Sequence, residues 1–346
     1  MRTTVFFATN RAVTGDGTSP MHYAGEAGPA GAPTTTTHAV AMVDGTDLAR
    51  FTPGQISQID HVSTGDFQAA VQDDLAGGRN LLLFLHGFAN SFSDGITRAA
   101  FNREFLAASG VPAADCTVVA FSWPSRGVVV DAKDVLPGLA LGPLSLVLKL
   151  VGVTASPLAR AYFEDQAAAD ASGADVAGFI TRLKPVFAKV RRGNGRVFVL
   201  AHSMGHRVLR GAIQALPGRA TLFDEALLAA ADTDFAEKGA GPPWLRAAGR
   251  FCTRISQYAS TGDQILRLSQ VVNNVQRLGR DGPIDRTDAI AYPPAQYRLV
   301  DCSGLVDPGS DTGIDTSHQY YRRIPAVRDD MAKVMAGGGR QGRTVL

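Results

Sequence analysis

Cysteine is scarce in this chain of 346 residues, with only Cys116, Cys252 and Cys302, widely spaced and without a C-x-x-C pair. That excludes a cysteine-built zinc cage and a disulfide framework. Each thiol lies in or beside an apolar run, where cysteine behaves as a small hydrophobe. An excess of one charge is missing too. Thirty-four Lys and Arg against thirty-two Asp and Glu leave a formal charge of +2, and the basic residues are scattered, so the footprint of a nucleic-acid binder is absent. Long hydrophobic runs are lacking as well. The apolar stretch at residues 5–8 is too short for a signal-peptide core. The most apolar segment, 135–150, has Lys149 as its only charge but is broken by Pro137, Gly138, Gly142 and Pro143, which argues against one straight spanning helix. The expected location is the cytoplasm. No internal repeat is found.

What is present is ordinary globular material, 45% hydrophobic and 19% charged, in a chain long enough for a continuous core. Short apolar runs of strand-like composition occur at 5–8, 39–43, 81–85, 117–121, 197–200, 227–230, 255–259 and 297–300, several of them apolar throughout, as strands covered on both faces are. Stretches with apolar residues at three and four spacing lie between them, for example 66–75, 97–108, 174–190 and 206–216. This alternation predicts an α/β fold, a mostly parallel central sheet flanked by helices, with ligands at the carboxyl ends of the strands. Residues 1–336 are expected to form a single domain. Residues 15–33, rich in Gly, Ala, Pro and Thr, read as a surface loop, and 337–346 as a flexible C-terminal tail.

One strand, residues 196–200, runs into Ala201-His202-Ser203-Met204-Gly205 and then directly into a helical pattern. A serine on such a strand-turn-helix corner is a candidate nucleophile, and its neighbours must be small because the two backbones nearly touch. The general pattern is G-x-S-x-G. Ala201 replaces the first glycine, which is tolerable at negative φ, and Gly205 keeps the second. The apolar strand 81–85 ends in His86-Gly87-Phe88, which suits a loop with exposed amides. Acyl transfer needs two N–H donors for the developing oxyanion; Phe88 and Met204 are the candidates, Gly87 permits close approach and His86 braces the loop.

Of seven histidines, only His318 follows Ser203 with room for an acid between, the chain order that a serine corner of this kind requires. An imidazole with a pKa near neutrality can take the hydroxyl proton and pass it to the leaving group. Asp263, at the end of the strand 255–259, is the first candidate for the acid that orients the imidazole. Asp232, one strand end earlier, is its rival, and either could instead be a helix cap.

Taken in order, Ala8-Thr-Asn-Arg11, Phe84-Leu-His-Gly-Phe88, Phe121-Ser-Trp-Pro-Ser125 and Ala201-His-Ser-Met-Gly205 resemble a bacterial family of α/β hydrolases of uncharacterised function. Tyr258-Ala-Ser-Thr-Gly-Asp263, Arg277-Leu-Gly279, Asp301-Cys-Ser-Gly304 and His318-Gln-Tyr320 are similar to that family's closing segments. The resemblance runs from Thr4 to about Arg323 and implies the α/β-hydrolase fold and the triad of Ser203, Asp263 and His318, but no substrate. In such proteins Tyr162-Phe-Glu-Asp-Gln166 follows soon after the Trp-Pro-Ser motif, whereas here 128–161 intervenes. An apolar insertion at about 127–161 in this fold is expected to form a cap or lid. A dimer contact or a peripheral membrane contact through 135–150 are the alternatives.

The expected activity is that of a serine hydrolase, an esterase-like enzyme acting through an acyl-enzyme with no metal or organic cofactor. Its partner would be a small-molecule ester with an apolar acyl or alkyl group, each buried methylene contributing about 0.8 kcal/mol. The alternatives are an amidase or peptidase using the same residues, and a non-catalytic scaffold of the same fold.

Overall fold

In the computed structural model, which describes residues 1–28, 37–75, 79–126, 157–236, 243–306, 317–339 and 341–346, each of the eight apolar runs becomes a strand. They are β1 (Arg2–Thr9), β4 (Thr37–Asp44), β6 (Asn80–Leu85), β7 (Cys116–Ser122), β8 (Val197–His202), β9 (Phe223–Ala229), β10 (Cys252–Ala259) and β11 (Tyr297–Asp301). Four further strands, β2 (Arg11–Val13), β3 (Tyr23–Ala27), β5 (Gln55–His61) and β12 (Gly342–Val345), complete the set. Ten strands form one sheet in the order β12-β11-β10-β9-β8-β6-β7-β1-β4-β5. From β12 to β1 all neighbours are parallel, and β4 and β5 close the far edge antiparallel.

β6, β7 and β8 are buried at every position, so successive side chains enter two cores. Leu81, Leu83, Leu85, Val197 and Val199 face one core together with Phe67 and Val71 of α1 (Thr64–Asp74), Tyr162 of α3 (Pro157–Ala171), Phe179 and Leu183 of α4 (Gly173–Arg192), Val208 of α5 (Gly205–Ala215) and Trp244 of α6 (Pro243–Ala248). Leu82, Phe84, Phe198 and Leu200 face the other, with Ile96 of α2 (Phe92–Ala107), Leu266 of α7 (Gln264–Asn273) and Val327 of α9 (Pro325–Met335). Leu278–Asp281 is the short helix α8. Ser63 and Ser91 cap α1 and α2, the latter in a capping box with Asp94.

Two expectations are corrected. The stretch 15–33 is not loop throughout, because β3 pairs with β2 and Tyr23 is buried, stacked on Phe92 with ring centroids 3.8 Å apart; residues 29–33 lie outside the described residues. The tail is not wholly loose either, since Gly342–Val345 pairs parallel with β11, whose edge offers unpaired backbone groups to any extended segment within reach. Of the insertion at 127–161, residues 127–156, including 135–150, lie outside the described residues, and α3 begins at Pro157. No helix of the described residues is long and apolar enough to cross a membrane. The three cysteines are free and buried.

The chain leaves β6 for β7 on one side and β8 for β9 on the other, so the carboxyl ends of the adjacent strands β6 and β8 border the crevice where the connections diverge. The ends of β9 and β10 are bridged to each other by Gly279 of α8. Its N–H donates to the Ala231 carbonyl at 2.8 Å, its own carbonyl accepts from the Ser260 amide at 3.0 Å, and a Cβ there would lie 2.0 Å from the Ala231 nitrogen. Gly279→Ala should therefore cost about 2 kcal/mol or more, as overpacking against rigid backbone does. Urea unfolding of the two proteins measures it, and a loss below about 0.5 kcal/mol, the range of neutral surface changes, would contradict the close approach.

Candidate active site

β8 ends at His202 and α5 starts at Gly205, leaving Ser203 and Met204 to turn the chain. A turn this tight forces Ser203 into the left-handed region, φ +53°, a conformation that costs a non-glycine residue roughly 1–3 kcal/mol. Backbone bonds hold it there. The Ser203 N–H donates to the Ala229 carbonyl at 3.1 Å, and the Ser203 carbonyl accepts from the amides of Asp232 and His206, each at 3.1 Å. Ala201 pairs with Leu85 inside the sheet and keeps a negative φ, so its methyl is accommodated. Gly205 has no such freedom, since a Cβ would sit 2.6 Å from the carbonyl oxygens of both Leu85 and His86. Gly87 packs on the serine, where a Cβ would lie 2.8 Å from Ser203 Cβ.

The loop after β6 is held from several directions. His86 stacks on Trp123 at 5.0 Å, its carbonyl accepts from Trp123 Nε1 at 2.8 Å, and its Nδ1–H donates to the Gly87 carbonyl at 3.0 Å. The Asn90 amide group donates to the carbonyls of Gly87 and Phe88. Ala89, at φ +54°, donates its N–H to Asp165 of α3 at 3.2 Å, and Asp165 also accepts from Ser125 Oγ and the Arg126 amide. Among the described residues neither the Phe88 nor the Met204 amide donates a hydrogen bond, so both candidate donors remain unspent within that set.

His318 Nδ1 lies 2.7 Å from Asp263 Oδ2, with both side chains buried. A carboxylate can only accept, so the ring proton is on Nδ1 and Nε2 is the basic nitrogen of the neutral ring. Asp263 serves as helix cap as well, its Oδ1 accepting from the Leu266 amide at 2.9 Å at the start of α7. The ring of His318 lies 4.7 Å from that of His202, the residue before Ser203. Ser203 thus follows the end of β8 and Asp263 the end of β10, with β9 between the two strands, and His318 bonds Asp263 with its ring beside that of His202.

Asp232 is engaged elsewhere. It accepts from Arg277 Nε at 2.8 Å, from Tyr162 OH at 2.8 Å and from Ser269 Oγ at 2.5 Å, and Arg277 also grips Asp234. Burial alone would raise the Asp232 carboxyl; Arg277 and the two hydroxyls outweigh it and hold the group below the ordinary carboxylate range.

Sequence reasoning passed over several residues that surround the corner. Arg11 is buried, and its guanidinium donates to Ser122 Oγ and to the carbonyls of Ala24, Asn90 and Ser125 at 2.9–3.0 Å. Burial lowers its pKa to about 9, with Asp165 and Asp94 opposing. Its place in Ala-Thr-Asn-Arg was the one available signal. His206 donates Nδ1–H to the Ser203 carbonyl at 2.9 Å. Burial brings His86 down to about 3 and His206 to about 4, and holds His202 well below the ordinary histidine value. Among the described residues no His, Cys, Asp and Glu cluster could hold a metal ion.

A family described as alpha/beta hydrolase of unknown function (DUF900) has a model that matches residues 63–333. No curated protein and no solved structure matches the chain.

The buried neutral histidines give the molecule an acid-side weakness of definite sign. With a folded pKa below the unfolded value near 6.5, such a histidine leaves stability intact above about pH 6.5 and erodes it as pH falls toward the folded pKa, because the unfolded chain binds the proton first. In His206→Asn the amide retains a donor near the Nδ1 position. Between pH 6 and 4.5 the decline in unfolding free energy should therefore flatten by about 1.4 kcal/mol per pH unit, one proton's worth. Chemical denaturation across that range checks it, and an unchanged slope would mean that His206 charges within the folded protein.

Proposed function

This chain belongs to the family of alpha/beta hydrolases of unknown function that matches residues 63–333, and from that premise we propose that it is a serine hydrolase cleaving carboxylic esters through an acyl-enzyme on Ser203. The observation that carries the reading is a serine held at φ +53° where β8 meets α5, together with a buried His318–Asp263 pair bonded at 2.7 Å whose imidazole lies 4.7 Å from the ring of His202, the residue before the serine. Strain of this kind in a buried turn is retained where the surroundings over-determine it and a function uses it.

The chemistry follows from the groups. Ser203 Oγ attacks the ester carbonyl carbon, and His318 Nε2 takes its proton as the C–O bond forms. Asp263 keeps the ring proton on Nδ1 and stabilises the imidazolium. The carbonyl oxygen, now negative, accepts from the Phe88 and Met204 amides, donors set before reaction and so needing no reorganisation. Collapse expels the alcohol, which leaves with the proton from His318. Water then repeats the sequence on the acyl-serine and releases the acid. A preference for an apolar acyl or alkyl group is supported by the Phe88 and Tyr162 rings, packed edge to face at 5.4 Å beside the oxyanion loop, and by the apolar composition of 135–150.

A fluorophosphonate probe should form a single adduct, located by peptide mass spectrometry at Ser203 and absent in Ser203→Ala. An unlabelled, folded wild type would overturn the hydrolase reading. Matched p-nitrophenyl esters and anilides should be cleaved with the ester strongly preferred; parity would favour an amidase. Asp263→Asn should lower kcat by up to about four orders of magnitude with the fold intact. Asp232→Asn should act on stability instead, costing up to about 3 kcal/mol because the buried Arg277 keeps only Asp234 as a charged partner. If the two variants exchange these effects, the acid has been misassigned.

A further inference from the structure

One imidazole with no role in the proposed chemistry touches both halves of the machinery. His202 is the last residue of β8, bonded through the chain to Ser203, and only 2% exposed. Its Nε2 lies 3.2 Å from the backbone carbonyl oxygen of His318. Its ring rests against that of His318 at 4.7 Å and stacks on Tyr321 at 4.4 Å with planes 26° apart. A carbonyl can only accept, so Nε2 carries the proton.

Among the described residues, three hydrogen-bonded ties hold residues 317–321 besides the bond from the ring of His318 to Asp263. Ser317 Oγ accepts from the Gln264 amide at 3.0 Å, which docks the segment on α7. Tyr320 OH donates to the Tyr258 carbonyl at 3.0 Å and accepts from the Ala230 amide at 3.1 Å, which docks it on the ends of β10 and β9. The third tie is His202, and of these it alone springs from the strand that bears the nucleophile. Asp263 orients the ring of His318 but does not set how far that ring stands from Ser203. A hydrogen bond from the residue next to the serine to the backbone of the base limits that distance directly, since adjacent Cα atoms are a fixed ~3.8 Å apart.

We propose that His202 is a positioning residue, a neutral Nε2–H imidazole that fixes the backbone of His318 at the distance from Ser203 that proton transfer requires. The inference rests on the serine-hydrolase reading of this site. Neutrality is part of the device, for His318 must become cationic during the reaction and a second imidazolium 4.7 Å away would oppose it. The surroundings favour neutrality, since burial foremost, then His318, and then Arg98 and Arg322 disfavour a charge on His202 and outweigh the hydrogen bond to the His318 carbonyl, which favours one. The stacked Tyr321 leaves the ring little room to turn over.

Two replacements separate the donor from the packing. His202→Phe keeps an aromatic ring against Tyr321 and loses the N–H; His202→Gln places an amide N–H near the position of Nε2. The Phe variant should label with fluorophosphonate, and turn over p-nitrophenyl ester, about ten- to a hundredfold more slowly, the scale of a misplacement near 1 Å, with KM within about twofold. The Gln variant should recover to within about fivefold of wild type. In the wild-type protein, ¹⁵N-edited NMR of labelled histidine should show His202 as the Nε2–H tautomer with no titration between pH 8 and 5, a result that does not depend on either variant folding. An Nδ1–H tautomer, titration in that range, a Phe variant as fast as wild type, or a Gln variant as slow as the Phe variant would each overturn the proposal. A wild type that labels normally while the Phe variant matches it sinks this inference alone, whereas a wild type that never labels removes the hydrolase reading and this inference with it.

Discussion

Everything at the candidate site depends on how closely three backbones approach where β6, β8 and α5 meet. The two-residue turn at Ser203 and Met204 leaves no space for a Cβ at Gly205, which faces the carbonyls of Leu85 and His86, or at Gly87, which faces the serine itself. The turn is tight, so Ser203 is driven to positive φ, and the Met204 amide begins a helix with its N–H uncommitted among the described residues. A cost of roughly 1–3 kcal/mol for one left-handed serine is small beside the burial of β6 and β8, every residue of which lies in the core. The sheet can carry the strain because it is over-determined by its neighbours.

Around that corner the buried charges divide into two groups that do not compete. On one side Asp232, Arg277 and Asp234, with Tyr162 and Ser269, tie the ends of β9 and α8 to α3 and α7. On the other, Arg11 and Asp165 hold the loops after β6 and β7, Arg11 by donating to carbonyls and Asp165 by accepting from amides and a hydroxyl. Buried charges of this sort contribute little net stability when complete and cost much when broken. Their value lies in direction, since each N–H···O bond fixes a loop whose own composition would let it wander. Asp263 stands apart from both groups, its two oxygens divided between the α7 amide and His318.

The sheet was legible in the sequence wherever burial on both faces demanded unbroken apolar runs, as at β6 and β8. It was illegible where burial is partial. β5 buries only Ile59, β3 has a single buried residue, Tyr23, and β12 alternates without any, so none carries a hydrophobic signal above its surroundings. The corner at Ser203 could be read because strand, small residues and helix are contiguous in the chain. Asp263 and Asp232 could not be separated on the same terms, since both follow strand ends and differ only in what lies opposite, His318 in one case and Arg277 in the other. Arg11 was hidden for a further reason. Its partners are mostly backbone carbonyls, which every residue possesses, so the bonds leave no compositional trace. The cap expected at 127–161 belongs largely to residues 127–156, outside those described.

The histidines show how one residue type is given different work by its surroundings alone. Among the described residues His86, His202 and His206 have no carboxylate within hydrogen-bonding reach; each directs a ring nitrogen to a backbone carbonyl, and burial keeps each neutral. His318 is equally buried but has Asp263 on Nδ1. Burial disfavours a cation on each of these three rings, whereas a carboxylate in contact in general favours a charged partner. The three neutral rings serve as donors that shape the loops, and by staying neutral they add no repulsion at His318, the ring proposed to take the proton. Replacing any of them by a permanent cation would disturb the local potential even where it filled the same space.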